Sequence, residues 1–343
     1  MNPTPAPRGY LPGLQLLRAL AALMVLVGHV LAEAEHYFAL SLPGNAVPWT
    51  RGVDIFFVIS GFVITLSAAR YLGQPAAFFW RRVVRVVPLY WLFTTLMVAA
   101  LLLLPGGVKD TTLDPAQILS SYGFIPYERA DGRIAPVLSL GWTLNYEMLF
   151  YAIAALCLAL PRPLLAVTGV ILGLATVGLT LDAPIPQVRF WTNPILIEFL
   201  FGIGLARLWQ RGFHVPHGAA AGFALTCGLA LLLILDATTL PRWVAAGIPA
   251  AIIVASGTLF CPQRAMPGMI WGDASYALYL SHRFALRAAT LLLLPLLPAT
   301  IVGALAYVVV VCACALGVGV LTHVFVEKPL LRACAPRPRA AAA

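Results

Sequence analysis

The chain has 343 residues, of which 61% are hydrophobic and only 10% are charged, and its mean hydropathy is +0.91. Because a soluble domain carries about 25% charged residues, this composition excludes a disordered chain and a soluble enzyme of this length. Lysine and arginine outnumber aspartate and glutamate by 22 to 13, a net charge of +9. The basic residues are dispersed between apolar stretches, so the charge does not indicate a nucleic-acid partner.

Apolar stretches long enough to cross a bilayer, which takes about 20 residues in a helix, follow one another along most of the chain. They lie at roughly 12–32, 53–70, 88–105, 142–160, 163–181, 193–210, 218–236, 241–260, 272–294 and 299–324. The pattern predicts an all-α polytopic membrane protein, a bundle of about ten transmembrane helices. We expect one transmembrane domain over residues 1–335 and a disordered basic tail at 336–343.

Lysine and arginine are distributed unequally between the predicted loops. With a cytoplasmic amino terminus, 14 of them fall on the cytoplasmic side and 8 on the other side, and 14 + 8 gives all 22. Since cytoplasmic loops carry the excess of positive charge, both termini are predicted to be cytoplasmic. The longest polar segment, roughly 106–141, is then outside.

The first predicted span contains two ionisable residues, Arg18 and His29. They are eleven residues apart, which is about 20° more than three full helical turns, so both lie on one helix face about 16 Å apart. Ionisable groups inside a membrane are costly and mark functional sites. The alternative is structural: an arginine that reaches the cytoplasmic surface and a histidine bonded to a neighbour.

The second and third spans add an acid and a basic cluster. Asp54 lies at the outer end of its span, where surface and site readings have equal weight, and Ser60 with Gly61 predicts close helix packing. Arg81, Arg82 and Arg85 fall within five residues. Guanidinium groups bind phosphate bidentately, so this cluster is a candidate phosphate site; topology and lipid contact are the alternative.

Later spans contain further polar residues. Glu147 follows Trp142 by five residues and lies well inside the fourth span, where an unpaired carboxylate would be expensive. A second intramembrane carboxylate, Glu198, is as consistent with a structural role as with a functional one. Ser275, Tyr279 and His282 are spaced four and three apart, so they form one polar stripe on a helix. The six cysteines have no metal-ligand spacing, and no metal is expected.

Several segments, taken in order, resemble the acyltransferase-3 family of bacterial integral-membrane O-acyltransferases. They are Arg18 with His29, the stretch 52–62, Arg81-Arg82-Val83-Val84-Arg85-Val86-Val87-Pro88, Trp142-Thr143-Leu144 with Glu147, Ser275–His282 and Glu327-Lys328-Pro329. The resemblance covers nearly the whole chain, in the form without a fused hydrolase-like domain. Family members move an acyl group from cytoplasmic acyl-CoA to an extracytoplasmic acceptor, usually a sugar hydroxyl.

The resemblance implies roles for the polar residues. Arg81, Arg82 and Arg85 would hold the CoA phosphates, and Arg18 would line the path towards His29. His29 would act as general base or carry the acyl group, two possibilities that the sequence leaves open. Glu147 would orient His29. The remaining candidates are Asp54 as a catalytic residue and, more weakly, Trp142, Ser275, Tyr279 and His282.

The expected activity is therefore acyl transfer, with acetyl as the first candidate group, from acyl-CoA to a hydroxyl of an extracytoplasmic carbohydrate or glycolipid. The expected location is the bacterial inner membrane, with the bilayer as a further partner and without nucleic acid. The rival hypothesis is a multi-span transporter or polysaccharide export component that uses the same charges for substrate passage. An inverted repeat would favour the rival, and the sequence contains no evident one.

Overall fold

The structure, a computed structural model, describes residues 11–42, 44–103, 114–262 and 268–334. Within these ranges the chain is helical, and its β-structure is limited to one isolated bridge between Glu128 and Ile134. The predicted tail at 336–343 lies outside the described residues.

Fourteen α-helices follow in chain order in the described ranges. They are α1 Pro12–Phe38, α2 Gly52–Ala68, α3 Pro75–Leu103, α4 Pro115–Tyr122, α5 Trp142–Cys157, α6 Pro163–Thr180, α7 Pro186–Trp191, α8 Ile197–Gln210, α9 Gly218–Asp236, α10 Ile248–Ala255, α11 Met269–Asp273, α12 Ser275–Leu293, α13 Ile301–Thr322 and α14 Lys328–Cys334. Three π-helical turns, Trp243–Gly247, Ser256–Phe260 and His323–Glu327, adjoin α10, α13 and α14.

Among the described helices, nine are long and apolar enough to cross a membrane. This confirms the predicted all-α polytopic membrane protein. The predicted span at 142–160 accounts for the difference from about ten, because α5 has only 16 residues. The predicted span at 88–105 begins earlier than expected. Arg81, Arg82 and Arg85 belong to the same continuous helix, α3.

Proline marks the first turn of α1, α4, α6 and α7, at Pro12, Pro115, Pro163 and Pro186. A proline at this position loses no intrahelical hydrogen bond, and its fixed φ suits the helix. The local sequence thus sets where these helices begin.

Helix α2 lies at the centre of the bundle and packs against α1, α5, α8 and α10. Gly61 and Gly202 allow its closest contact, with α8. A Cβ on Gly61 would lie 2.1 Å from the carbonyl oxygen of Phe199, and a Cβ on Gly202 would lie 2.0 Å from that of Val58. The close approach predicted from Gly61 is confirmed, and it depends on both glycines.

The described part of the long polar segment, 114–141, folds against α3. Asp114 caps α4 by accepting a hydrogen bond from the backbone N–H of Ala116 at 2.9 Å. The hydroxyl of Tyr90 in α3 donates to the carbonyl of Ser121 at 3.2 Å, and Ser121 Oγ accepts from the N–H of Val137 at 2.9 Å. The segment is therefore ordered by buried hydrogen bonds, and it leads directly into α5.

Candidate active site

A cavity of about 160 Å³ opens between α1, α2, α3, α5 and α12. Arg18 from α1 and Arg82 and Arg85 from α3 line it, together with Glu147 from α5. Residues separated by more than a hundred positions in sequence thus converge on one polar space inside the bundle. Such a space can hold a charged ligand that the surrounding lipid would exclude.

The three arginines of α3 differ in their surroundings. The guanidinium of Arg82 lies 5.4 Å from the ring centroid of Phe78 and 6.0 Å from that of Tyr151, and it donates to Ser67 Oγ at 2.7 Å. Packing on two rings fixes its position. Arg81 is exposed and lies over the ring of Tyr71 at 5.8 Å. Arg81 does not line the cavity, so the cluster expected from sequence is divided.

Arg85 lines the cavity and also forms an ion pair with Glu327, whose side chain is 1% exposed. The other oxygen of Glu327 bonds to Nδ1 of His323 at 2.6 Å. The π-helical turn His323–Glu327 carries both of these side chains, and such turns often occur at functional positions. The carboxylate therefore anchors Arg85 from the far end of the chain.

Glu147 does not contact His29, contrary to the pairing expected from sequence. Its carboxylate accepts hydrogen bonds from Ser60 Oγ at 3.1 Å and from the hydroxyl of Tyr151. These donors come from α2 and from the next turn of α5, so Glu147 faces the cavity. His29 lies instead against α12. The correction has a geometric cause, because sequence gives the depth of each residue but not the rotation of one helix relative to another.

His29 pairs with His282. Nε2 of His282 lies 3.3 Å from Nδ1 of His29, and the ring centroids are 5.1 Å apart. Nδ1 of His29 also lies 2.9 Å from the carbonyl oxygen of Val25, and Nδ1 of His282 lies 3.1 Å from that of Leu278. His282 is 1% exposed. One imidazole is thus held by its own helix and by a second imidazole.

Tyr279 links the cavity to this pair of histidines. It lines the cavity, and its ring centroid lies 6.2 Å from that of His282. Its hydroxyl contacts the carbonyl oxygen of Leu140 and the hydroxyl of Thr143, both at 2.9 Å. Ser275 lines the cavity from the same helix and is fully buried. The predicted polar stripe of α12 therefore runs from the cavity to the imidazole pair.

Asp54 is fully buried, which removes the surface interpretation that its sequence position allowed. Both of its oxygens accept hydrogen bonds from Arg242, from Nε at 2.8 Å and from an Nη at 2.9 Å. The guanidinium of Arg242 lies 5.6 Å from the ring centroid of Trp142. Asp54, Trp142 and Arg242 thus form one group, which we call the outer group after its predicted side of the membrane. It is separate from the cavity lining.

Sequence reasoning gave no role to Arg242, Glu327 or His323. Arg242 counted only as an outer positive charge, although it lies next to an apolar stretch. Glu327 stood only within a family motif. The partner of Arg242 is 188 residues away in the chain, and the arginine partner of Glu327 is 242 residues away. No local pattern encodes such pairings. In the described ranges, no group of three or more His, Cys, Asp or Glu side chains is placed to hold a metal ion.

Comparison with known proteins assigns this arrangement to a family. A family model described as an acyltransferase domain, that of acyltransferase-3, matches residues 11–323. Exopolysaccharide production protein ExoZ of Rhizobium meliloti (strain 1021) is 32% identical over 89% of this chain and 94% of its own length. Acyltransferase MdmB of Streptomyces mycarofaciens is 26% identical over 94% of this chain and 92% of its own.

O-acetyltransferase OatA of Staphylococcus aureus (strain NCTC 8325 / PS 47) is 28% identical over 80% of this chain and 50% of its own length. No solved structure matches the chain. The matched residues include the cavity, the imidazole pair and the outer group described above. The chain belongs to the acyltransferase-3 family of membrane O-acyltransferases.

Proposed function

We propose that the protein transfers an acyl group, acetyl in the first instance, from cytoplasmic acyl-CoA to a hydroxyl of an extracytoplasmic carbohydrate or glycolipid. It would act in the bacterial inner membrane. The observation that carries this proposal is the arginine-lined cavity, which ends at Tyr279 beside the pair of His29 and His282. A charged donor and a base are thereby brought together inside an apolar bundle.

Arg18 and Arg85 bind the phosphates of the donor. Both line the cavity, and a guanidinium makes its strongest hydrogen bonds with phosphate and carboxylate oxygens. Arg82, held between two rings and by Ser67, contributes positive charge from a fixed position. Arg81 lies outside the cavity, so its contribution to donor binding is small.

His29 is the base that takes the proton of the acceptor hydroxyl. A backbone carbonyl only accepts hydrogen bonds, so a neutral imidazole beside one carries its hydrogen on the facing nitrogen. Val25 and Leu278 thereby place the hydrogen on Nδ1 of His29 and of His282. Nε2 of His29 keeps its lone pair for the substrate, and Nε2 of His282 can accept from His29 as positive charge develops.

The proposed transfer conserves atoms and electrons with the donor, the acceptor and His29 alone. The acceptor oxygen attacks the thioester carbonyl carbon as its proton passes to Nε2 of His29, and the carbon–sulfur bond breaks. CoA leaves as a thiolate, and the proton on His29 returns to solvent or to the departing sulfur. Glu147, held by Ser60 and Tyr151, keeps the cavity wall polar along the path of the thioester.

The names of the relatives support the substrate class. One relative is named for exopolysaccharide production and another as an O-acetyltransferase. Family membership makes the chain an enzyme, so a transporter without transferase chemistry is not retained. The ion pairs agree with the predicted grouping of the loops. Arg51 pairs with Asp236 and Arg189 pairs with Glu128, and the predicted spans place all four residues on one side of the membrane.

The test uses the purified protein in sealed vesicles with radiolabelled acetyl-CoA on the cytoplasmic side. In parallel, mass spectrometry compares the glycans and glycolipids of cells with and without the protein. We expect one acyl mass to be lost from a carbohydrate in cells that lack the protein, and that same carbohydrate to become labelled in vesicles. Labelled acetyl-CoA left intact by folded protein supplied with this acceptor would contradict the proposal.

A further inference from the structure

A second buried charged group lies at the outer end of the bundle, where α2, α8 and the π-helical turn Trp243–Gly247 meet. Its carboxyl groups include Asp54 and Glu198, both 0% exposed. Asp54 is satisfied, because Arg242 donates two hydrogen bonds to its two oxygens. Glu198 has no such cation, and its surroundings need an explanation.

Among the residues that the structure describes, none donates a hydrogen bond to either oxygen of Glu198. The carboxyl of Asp54, on the neighbouring helix α2, acts on Glu198 electrostatically. Two ionised carboxylates can only accept, so a contact between them is repulsive and leaves both groups unsatisfied. The contact becomes a hydrogen bond only when one of the two carries a proton.

The fold makes room for this side chain. A Cβ on Gly247 would lie 2.9 Å from Cγ and 3.5 Å from the carboxyl carbon of Glu198, so a larger residue would crowd this side chain. Gly247 ends a π-helical turn, and such turns occur often at functional positions. The absence of a side chain at Gly247 therefore leaves room for Glu198 between α8 and this turn.

The balance of charge around Glu198 also indicates that one of the two carboxyls carries a proton. The charged and titratable side chains that interact electrostatically with it are Asp54, Arg242, Arg51 and Tyr146, and Asp236 pairs with Arg51. Two arginines against three ionised carboxyls would leave one net negative charge (2 − 3 = −1) in a region where ions are costly. One bound proton makes the group neutral, with Tyr146 as a neutral phenol.

We propose that Asp54 and Glu198 form a proton-binding site in which Glu198 carries the proton and donates it to Asp54. Asp54 is the ionised partner because it receives both hydrogen bonds from Arg242. The hydrogen bond from Glu198 fixes the carboxylate that holds Arg242 over Trp142. Glu198 thus acts as a positioning residue through Asp54. The site is separate from the donor cavity.

Infrared spectroscopy tests this directly, because the C=O stretch of a protonated carboxylic acid is separate from the bands of a carboxylate. Purified wild type and Glu198→Gln are compared at neutral pH in H2O and in D2O. We expect the difference spectrum to show the loss of one protonated-acid band, which shifts in D2O. Glu128→Gln is the control, because Glu128 pairs with Arg189 at the surface; it should leave the acid region unchanged.

The contradicting result is a difference spectrum in which Glu198→Gln removes carboxylate bands and leaves the acid region as in wild type. A second measurement needs no variant and covers the case in which the substituted protein does not fold. Wild type labelled with carbon-13 glutamate should shift the acid band, and aspartate labelling should leave it in place. The absence of any protonated-acid band from labelled glutamate would overturn the proposal on its own.

Discussion

The cavity group and the outer group contain the same kinds of side chain but arrange them differently. Around the cavity, Arg18 and Arg85 border open space, and Arg85 is about one-third exposed even though Glu327 holds it. In the outer group, Asp54 and Arg242 are matched to each other through two parallel hydrogen bonds. The cavity group therefore has hydrogen-bond donors left for a ligand, whereas the outer group uses most of its hydrogen-bond donors for contacts within the group.

This difference indicates what each group does. A charged side chain beside an empty polar space is available to bind, whereas a buried, doubly bonded pair mainly fixes geometry, and breaking it leaves an uncompensated charge. We therefore expect substitutions at the cavity to change donor affinity, with an added loss of stability at Arg85 because its partner Glu327 is buried. Substitutions in the outer group should change stability and leave donor affinity nearly unchanged. Substitutions in the imidazole pair should affect turnover alone.

The largest effect is expected at His29. His29→Ala removes the base and should lower the transfer rate by about 10²–10⁴-fold, the usual contribution of general acid–base catalysis. Binding of acyl-CoA should persist, because the arginines remain. His36→Ala is the matched control, since His36 is exposed and packs on Tyr37. Turnover close to wild type by a folded His29→Ala protein would contradict the assignment of the base.

Arg242→Gln should chiefly destabilise the protein. It leaves the buried Asp54 carboxylate without its cation, a change that costs about 3 kcal/mol, at the lower end of the range because Arg242 is 34% exposed. Arg51→Gln breaks a more exposed pair and should cost about 0–1 kcal/mol. The measurement is denaturant unfolding in detergent. Equal stability losses in the two variants would remove the distinction between matched and exposed pairs.

Donor binding should distinguish two arginines of the same helix. Arg85→Gln removes a guanidinium from the cavity wall and should weaken binding of CoA by about 2 kcal/mol, or roughly 30-fold. Arg81→Gln alters a side chain outside the cavity and should change the affinity much less. Titration calorimetry with CoA measures both. If the two variants were equally impaired, donor binding would reflect general positive charge and not the cavity.

The smallest effect concerns pH at the loop that contains Asp131. Hydrogen bonds from Arg133 lower the pKa of Asp131 to about 2. A lowered pKa in the folded state stabilises the loop above the ordinary pKa of about 4 and loses this effect as pH falls through 2. Protection factors for hydrogen exchange in this loop should therefore show no step between pH 5 and 8 in wild type, and the same is expected of Asp131→Asn, which has no carboxyl at this position. A step in wild-type loop protection near neutral pH would contradict this.

The sequence predicted the membrane fold well, because long apolar stretches in a chain with few charges leave little choice but spanning helices. It also selected Gly61 for close packing, which the contact with α8 confirms. The span at 142–160 was overestimated. Apolar residues continue beyond Cys157, where the helix already ends, so hydropathy alone exceeded the helix length.

The site was harder to predict, because its contacts cross between helices. Spacing within α5 could not reveal that Glu147 meets Ser60 on α2, nor could α1 reveal that His29 meets His282. Arg81 and Arg85 share a face of an isolated helix, yet only Arg85 lines the cavity, since the ring of Tyr71 lies under Arg81. Local sequence predicts how deep a residue lies in the membrane, whereas packing between helices determines which way each helix is rotated.

Helix α2 carries a residue of each polar group, Asp54 at the outer group and Ser60 at the cavity. Six residues of helix separate them by about 9 Å along the axis. The contact that holds α2 against α8 joins backbone to backbone through Gly61 and Gly202, and it needs neither a flexible side chain nor lipid. The helix is therefore a rigid spacer, and the distance between the two groups stays the same when the thickness of the surrounding bilayer changes.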